Sequence, residues 1–467
     1  MIRALLIVLL SAASAVGQGY VCAEGGGNAG KGAWADEVFG WMVEKGHHGK
    51  VVLLGAVKLD EDERPAMFTR LGAASAESLV VTEENADTQE TYDAIASASV
   101  VFIRGGAQDR YVRWWKGKKT QQAIVDVWKK GGVVAGTSAG CAVLGEVVYD
   151  SLHGSLTARE ALADGRHEHL SLTTGFLNLV PGVLFDTHFT ERGRLARLPV
   201  MLAMCKEDLK RDDIVGIGVD PRTAVCVGPD GIAEIRGEGT ATFLTLAPES
   251  RVSIRKGTAP AVLDIRYTQL FAGHRYDLKQ RVVTFRPDWI KPAFHAATFA
   301  RIEGSLVSLD GALPETAALA TIHPAEQPDD AWIATAPASE PGENKFCAAL
   351  AVRAFSDRRS GNSMAAVQGA VAADPHLLGI WLDESASVQG RDRRIDVLSH
   401  GADARSILIL DGTAASQLGW GPAPCQRPAI EGARLHVIPP GWTFDRDTHG
   451  AMPTSDYPTT DASPRSK

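Results

Sequence analysis

The 467-residue chain has only six cysteines, and none of them stands in a C-x-x-C pair or at zinc-ligand spacing to a histidine. A metal centre is therefore not expected, and no cofactor is called for. Long hydrophobic runs are missing as well. The longest near the N-terminus, Ala4 to Leu10, falls well short of the roughly 18 to 20 residues of a membrane span. There is no basic block: 48 Lys and Arg against 56 Asp and Glu, well mixed, give a net charge of -8. That excludes a nucleic-acid footprint and a polybasic membrane anchor. A dinucleotide fingerprint is also absent. Gly25-Gly26-Gly27-Asn28 follows a strand pattern, but no ribose-binding acid stands after the second strand, so the run is read as a tight glycine loop at a strand end, open to ligand.

What the chain does have is enough apolar residue, 45%, for a large core, and enough length for two or more domains. Residues 1–17 carry one arginine, a short apolar core and a small-residue exit, which are the parts of a secretory signal peptide. Export to a secreted or periplasmic location is expected, with no membrane attachment once the signal is removed. Disulfides are then permitted, although sequence cannot pair them. Cys141 reads as a small core residue.

After the signal, short apolar runs at Val51–Leu54, Ser78–Val81, Val100–Ile103 and Val133–Ala135 alternate with helical patterns such as Gln121–Lys130. Continuous apolar strands separated by helices predict a mostly parallel sheet with helices on both faces, and ligand sites at the strands' carboxyl ends. The last of these strands leads directly into Gly136-Thr137-Ser138-Ala139-Gly140. Small residues around one serine, between a strand and a helix, hold a hydroxyl unhindered at a helix N-terminus. Ser138 is the candidate nucleophile. The loop Gly105-Gly106-Ala107-Gln108 also ends a strand, and the backbone of Gly106 with the amide of Ala139 is the candidate oxyanion hole. Gln108 either lines the substrate pocket or simply opens a helix.

Downstream, the apolar strand Pro181–Phe185 delivers Asp186-Thr187-His188-Phe189-Thr190-Glu191-Arg192-Gly193-Arg194-Leu195-Ala196-Arg197. A histidine at a strand end suits a general base for Ser138. Arg192, Arg194 and Arg197 do not share one helical face, so all three need not touch one ligand; either at least one holds a substrate carboxylate, or they form a solvated helix with local salt bridges.

These patches, with Gly216-Ile217-Gly218-Val219-Asp220 and Thr223-Ala224, together resemble the cyanophycinase family of serine peptidases, peptidase family S51, relatives of the aspartyl dipeptidases. The resemblance covers roughly residues 18 to 285, most of the expected catalytic domain, residues 18–289. It implies a class I glutamine amidotransferase-like α/β fold with Ser138 as nucleophile, His188 as base, and no metal. Gln108, Asp186, Thr187, Arg192, Arg194 and Arg197 would shape the substrate pocket. The substrate would be a small or isoaspartyl-linked peptide, for example a β-Asp-Arg unit, cleaved through an acyl-enzyme. Two positions depart from the family pattern: Thr187 stands where glutamine is usual, and Pro221 where an acid commonly follows the glycine-rich strand. The orienting acid is open among Asp150, Asp186 and Asp220, with Asp220 the working choice. A binding protein that has lost turnover, or an α/β-hydrolase esterase, are the alternatives. A homodimer is left open.

Residues 290–450 read as a β-rich α/β domain and a partial, degenerate repeat of the catalytic domain's later half. Gly379–Glu384 echoes Gly216–Pro221, and Gly441–Asp445 echoes Gly273–Asp277. No second serine turn follows a strand, so this copy is expected to be inactive. Residues 451–467, rich in Ser, Thr, Pro and Asp, are expected to be a disordered tail.

Overall fold

The computed structural model describes residues 19–27, 32–59 and 62–288, and after them separate stretches between residues 299 and 457. The expected export signal lies outside the described residues. The first part of the chain folds as β1 (Tyr20–Glu24), α1 (Ala33–Lys45), β2 (Lys50–Gly55), α2 (Arg64–Arg70), β3 (Ser75–Val80), α3 (Gln89–Ala96), β4 (Val100–Ile103), α4 (Gln108–Trp115), α5 (Lys119–Lys129) and β5 (Val133–Thr137). The strands pair parallel in the order β3-β2-β4-β5-β1. Side chains alternate across a strand, so each face is apolar and each is covered. Cys22, Leu53, Phe102 and Ala135 meet Trp34, Phe39 and Phe68 of the first two helices, while Val21, Val52, Ile103 and Val134 meet Trp115 and Ile124 opposite.

The chain then crosses to a second sheet through α6 (Ala139–Ala142), β6 (Gly145–Tyr149), α7 (Ala158–Ala163), β7 (Leu172–Thr174), β8 (Val180–Asp186), α8 (Arg197–Asp208) and β9 (Val215–Val219). β6, β8 and β9 are parallel. Val183, Phe185 and Ile217 share a buried cluster with Val21 and Val134, so the two sheets pack together. From here the pairing becomes antiparallel, because the connections are too short for a crossover. β10 (Thr223–Val227) and β11 (Ile232–Gly237) return to the first sheet beside β1. β12 (Thr240–Arg255) and β13 (Thr258–Phe271) form a long hairpin in the second, and β14 (Arg275–Asp277) and β15 (Val282–Phe285) complete the first. The parallel strands thus run from the middle of the first sheet out to its β3 edge, and in the second they lie near one end, with β7 antiparallel beyond them.

The C-terminal region contributes β16 (Phe299–Ile302), β17 (Ser305–Ser308), β18 (Thr321–Pro324), β19 (Trp332–Thr335), β20 (Ala348–Ala351), β21 (Leu378–Leu382), β22 (Ala386–Arg391), β23 (Arg394–Ser399), β24 (Ile407–Asp411), β25 (Gln417–Trp420), β26 (Pro428–Ile438), β27 (Trp442–Asp445) and β28 (Gly450–Pro453). It is not a detached domain. β26 pairs with β13, which joins the region to the second sheet of the catalytic unit, and Trp381, Leu408 and Leu435 bury against Leu198 and Tyr267. The boundary expected near residue 290 therefore separates stretches of sequence that share one core.

Strand order recurs between the two parts. β9 pairs with β12, and the β10–β11 hairpin between them lies in the other sheet, where β14 joins β11. In the same way β21 pairs with β24, and the β22–β23 hairpin lies in a six-stranded sheet, where β27 joins β23. The neighbour on the far side differs, since β8 is parallel to β9 whereas β20 is antiparallel to β21. The two parts meet at β13 and β26, antiparallel, with Arg266 directly opposite Arg434. Those arginines stand as far apart in sequence as Gly273 and Gly441, so corresponding residues face each other across the join.

Residues 451–457, expected to be disordered, instead complete β28 and a 3-10 turn. Tyr457 anchors them: its hydroxyl bonds to Asp445, and the Arg394 guanidinium stands 4.2 Å from its ring centroid. A polar composition does not leave a strand unpaired when an open sheet edge adjoins it.

Candidate active site

Gly136 and Gly140 are required by sterics. A Cβ on Gly136 would collide with the Gly140 carbonyl, and one on Gly140 with the carbonyl of Ile103 at the end of β4. The tight turn this allows puts Ser138 at φ 53°, ψ -116°, outside the usual regions for a residue with a side chain. Such a conformation costs about 1 to 3 kcal/mol and persists only when its surroundings enforce it. Here the Ser138 amide donates to the Glu24 carbonyl at 3.0 Å, which ties the turn to the neighbouring strand.

His188 follows the end of β8 and also has a positive φ, 48°. Its amide donates to the Gly25 carbonyl at 2.8 Å, and its ring lies against Gly26, where a Cβ would overlap the imidazole. The glycine loop after β1 is thus the wall on which the histidine rests. His188 Nε2 stands 2.9 Å from Ser138 Oγ, and Nδ1 stands 2.8 Å from Glu191 Oε2. A carboxylate at Nδ1 holds the proton there and leaves the Nε2 lone pair for the serine hydroxyl. Burial lowers the pKa of His188 below its ordinary value, Arg192 and Arg194 add to this, and Glu191 opposes it. The ring is therefore neutral at neutral pH, the form a general base needs.

The acid against His188 is Glu191, and not Asp220, Asp150 or Asp186. Asp220 is saturated by the amides and hydroxyls of Thr190 and Thr240, and so braces the turn after His188. Asp150 accepts from Ser171, Thr173 and the Leu152 amide. Asp186 is 2% exposed and is taken by Arg197, 2.5 and 2.8 Å for the two bonds. Nothing singled Glu191 out in the sequence, where Pro221 in place of an acid left the orienting carboxylate open among Asp150, Asp186 and Asp220. The left-handed turn at His188 brings a residue three positions on back over the ring.

The arginines divide in a way their spacing did not show. Arg197 is buried, bonded to Asp186 and to the Leu156 carbonyl, and stacked 4.8 Å from the Tyr149 ring centroid, so it holds the pocket wall and is not free for substrate. Arg194 bonds to the Thr187 carbonyl at 2.7 Å and reaches Asp186 only at 3.5 Å. Burial and then Arg197 destabilise its cation, and Asp186 opposes them. Arg192 is exposed. Thr187 is buried, with its hydroxyl 3.3 Å from Arg194. Gln108 donates from Nε2 to the Tyr149 carbonyl at 2.6 Å, which turns it toward the same wall.

Facing the serine, Gly105 and Gly106 are exposed, and a Cβ on Gly105 would stand 3.3 Å from Ser138 Cβ. The Ala139 amide, first in its helix, has no intrahelical acceptor.

A serine, a base and a carboxylate linked in series at the ends of α/β strands are the machinery of a hydrolase. Residues 61–235 match the model of peptidase family S51. This catalytic unit is similar to peptidase family S51. It is a serine-type peptidase. The chain is 29% identical over 228 residues to the cyanophycinase of Trichormus variabilis, covering 46% of this chain and 70% of that one. Against the cyanophycinase of Geminocystis herdmanii it is 28% identical over 223 residues, 47% of this chain and 77% of the other. Among solved structures, a peptidase from an acI-B1 Actinobacterium aligns with 19% identity and a TM-score of 0.39, over 56% of this chain and 97% of that one.

One buried acid beside the serine turn carried no signal in the sequence. Glu24 ends β1 opposite Thr137, fully buried, and neither carboxylate oxygen reaches a partner in hydrogen-bond geometry. Burial pushes its pKa up to about 7, and the nearby Thr137 side chain, Arg64 and the Gly26 amide offset only part of that. The four described cysteines, Cys22, Cys141, Cys205 and Cys226, are free and buried.

Proposed function

We propose that this chain is an exported exopeptidase that hydrolyses small or isoaspartyl-linked peptides, such as β-Asp-Arg units, through an acyl-enzyme on Ser138. The observation that carries the chemistry is the 2.9 Å contact between Ser138 Oγ and His188 Nε2, beside the exposed Gly105-Gly106 loop. In this reading His188 takes the serine proton as Oγ attacks the scissile carbonyl, and Glu191 stabilises the imidazolium that forms. The amides of Ala139 and Gly106 receive the developing oxyanion. His188 then returns the proton to the departing amine. A water, deprotonated by the same nitrogen, releases the acyl group and restores Ser138.

The isoaspartyl preference rests on Arg194. A β-linked aspartyl residue keeps a free α-carboxylate within a few bonds of the carbonyl under attack, and Arg194, whose bonds to Thr187 and Asp186 all use Nη1, is a fitting receptor for it through its other donors. Similarity to the cyanophycinases supports the same substrate class. Wild type and Ser138→Ala would be compared on a dipeptide set that includes β-Asp-Arg and α-Asp-Arg. The expected result is cleavage of the β-linked member by wild type, with a loss of about 10⁴-fold or more in the variant. Equal rates for wild type and variant would remove Ser138 from the reaction. A failure of wild type to label with a serine-directed fluorophosphonate would favour a binding protein without turnover.

A further inference from the structure

No metal-ligand spacing is evident in the sequence, yet the fold brings one imidazole-rich cluster together away from the serine. Glu160 of α7 meets His167 and His169 of the loop leading to β7, and one ligand atom from each lies within 4.8 Å of the other two. Glu160 Oε1 is 3.5 Å from His169 Nδ1, long for a hydrogen bond. Two ligands on a tetrahedral ion with bonds of about 2.0 to 2.1 Å stand roughly 3.4 Å apart, so the gap fits a shared cation.

Three further features prepare the cluster. His169 Nδ1 is buried and takes no hydrogen bond, while Nε2 of the same ring is turned toward the backbone of Gly154. Glu160 Oε2 accepts the Thr157 amide at 2.7 Å in a capping box, which fixes the carboxylate and turns Oε1 toward His169. His167 packs edge-on to His169, with ring centroids 4.7 Å apart, and its Nδ1 accepts the His169 amide at 3.1 Å. Coordination through that nitrogen would exchange one backbone hydrogen bond for a metal bond.

We propose that Glu160, His167 and His169 form a binding site for a divalent cation of the zinc class, which clamps the segment between α7 and β7. Two imidazoles and a carboxylate are a donor set suited to zinc, with a fourth position for water. The clamp is structural: Ser138 and His188 lie elsewhere, and their reaction needs no metal from it. Its effect on the active site runs through the preceding loop, where the Leu156 amide donates to the Tyr149 hydroxyl and the Leu156 carbonyl accepts from Arg197. Binding would stiffen the wall that carries Arg197 and faces Arg194.

The test uses the full chain purified without a polyhistidine tag and stripped with a chelator. Zn²⁺ is titrated by calorimetry, and Co²⁺ by its visible absorption. The expected result is one equivalent bound, a tetrahedral Co²⁺ spectrum, and a higher melting temperature with zinc. His167→Ala and His169→Ala should each weaken binding by more than about tenfold. Should those variants misfold, Glu160→Gln serves instead, since it keeps an acceptor for the Thr157 amide while removing the anionic ligand, and it should weaken binding to a similar degree. The proposal is overturned if wild type binds no equivalent of either ion, or if binding is unchanged in the variants that fold.

Discussion

Glu191 Oε2 lies 2.8 Å from His188 Nδ1, three residues away in one turn, with the histidine side chain 12% exposed and the glutamate 54%. The carboxylate that orients the base is therefore carried on the base's own loop, in contact with water. Solvent weakens its electrostatic effect, and the hydrogen bond to the tautomer-defining nitrogen becomes its main contribution.

Glu191→Gln should lower kcat by at least about tenfold while leaving thermal stability within roughly 0.5 kcal/mol of wild type. Because Glu191 raises the His188 pKa against burial, its removal should also move the acid limb of kcat/KM to lower pH. Asp220→Asn should behave in the opposite sense, losing about 1 to 3 kcal/mol of stability because it disturbs bonds to Thr190 and Thr240. Paired pH-rate profiles and urea melts distinguish the two, and an inactive but stable Asp220→Asn with a fully active Glu191→Gln would reverse the assignment.

Gly26→Ala places a methyl group on the His188 ring at a backbone φ of 103°, so two penalties coincide. Displacing the imidazole by even an ångström should reduce kcat by about 100-fold. Gly40→Ala is the control, since nothing lies within 4 Å of a Cβ there and the residue sits inside α1. It should retain full activity and gain about 0.5 to 1 kcal/mol.

Glu24 predicts a pH-dependent stability of unusual sign. Its folded pKa, about 7, lies above the ordinary carboxyl value, so the folded chain binds this proton more tightly than the unfolded one. The resulting stability is complete below about pH 4.3 and is lost as pH rises to about 7, a change of about 3 kcal/mol. Glu24→Gln keeps the neutral shape and should be more stable than wild type at pH 8 by a similar amount. Melts of both proteins across pH 5 to 8 decide it; parallel curves would show that Glu24 stays ionised.

The join at β13 and β26 bears on assembly. An edge strand such as β13 is a usual place for a second copy to pair, but here it is occupied by β26 of the same chain, with Arg266 opposite Arg434. With β26 paired there, β13 offers no free edge to a second copy. Light scattering of the purified full-length chain, residues 1–467, should give a mass near 49.7 kDa, and twice that value would show that another surface dimerises.

Local sequence determined the serine turn, the histidine strand end and the alternation of parallel strands with helices. Each follows from interactions between near neighbours: glycines that let a turn close, apolar runs that must be buried, and a strand that stops where polar residues begin. Those constraints are written in a few consecutive residues. The partner of each charge was decided by the tertiary structure. Asp186, Asp220 and Glu191 were alike as nearby acids, and only the packing of β8 beside β9, with the turn after His188 braced by Asp220, left Glu191 as the acid on the ring. The same holds for Arg197, whose partners Leu156 and Tyr149 come from far along the chain, and for Glu24, whose burial is set by strands on either side. Burial and pairing are properties of the assembled core, and a linear pattern contains them only indirectly.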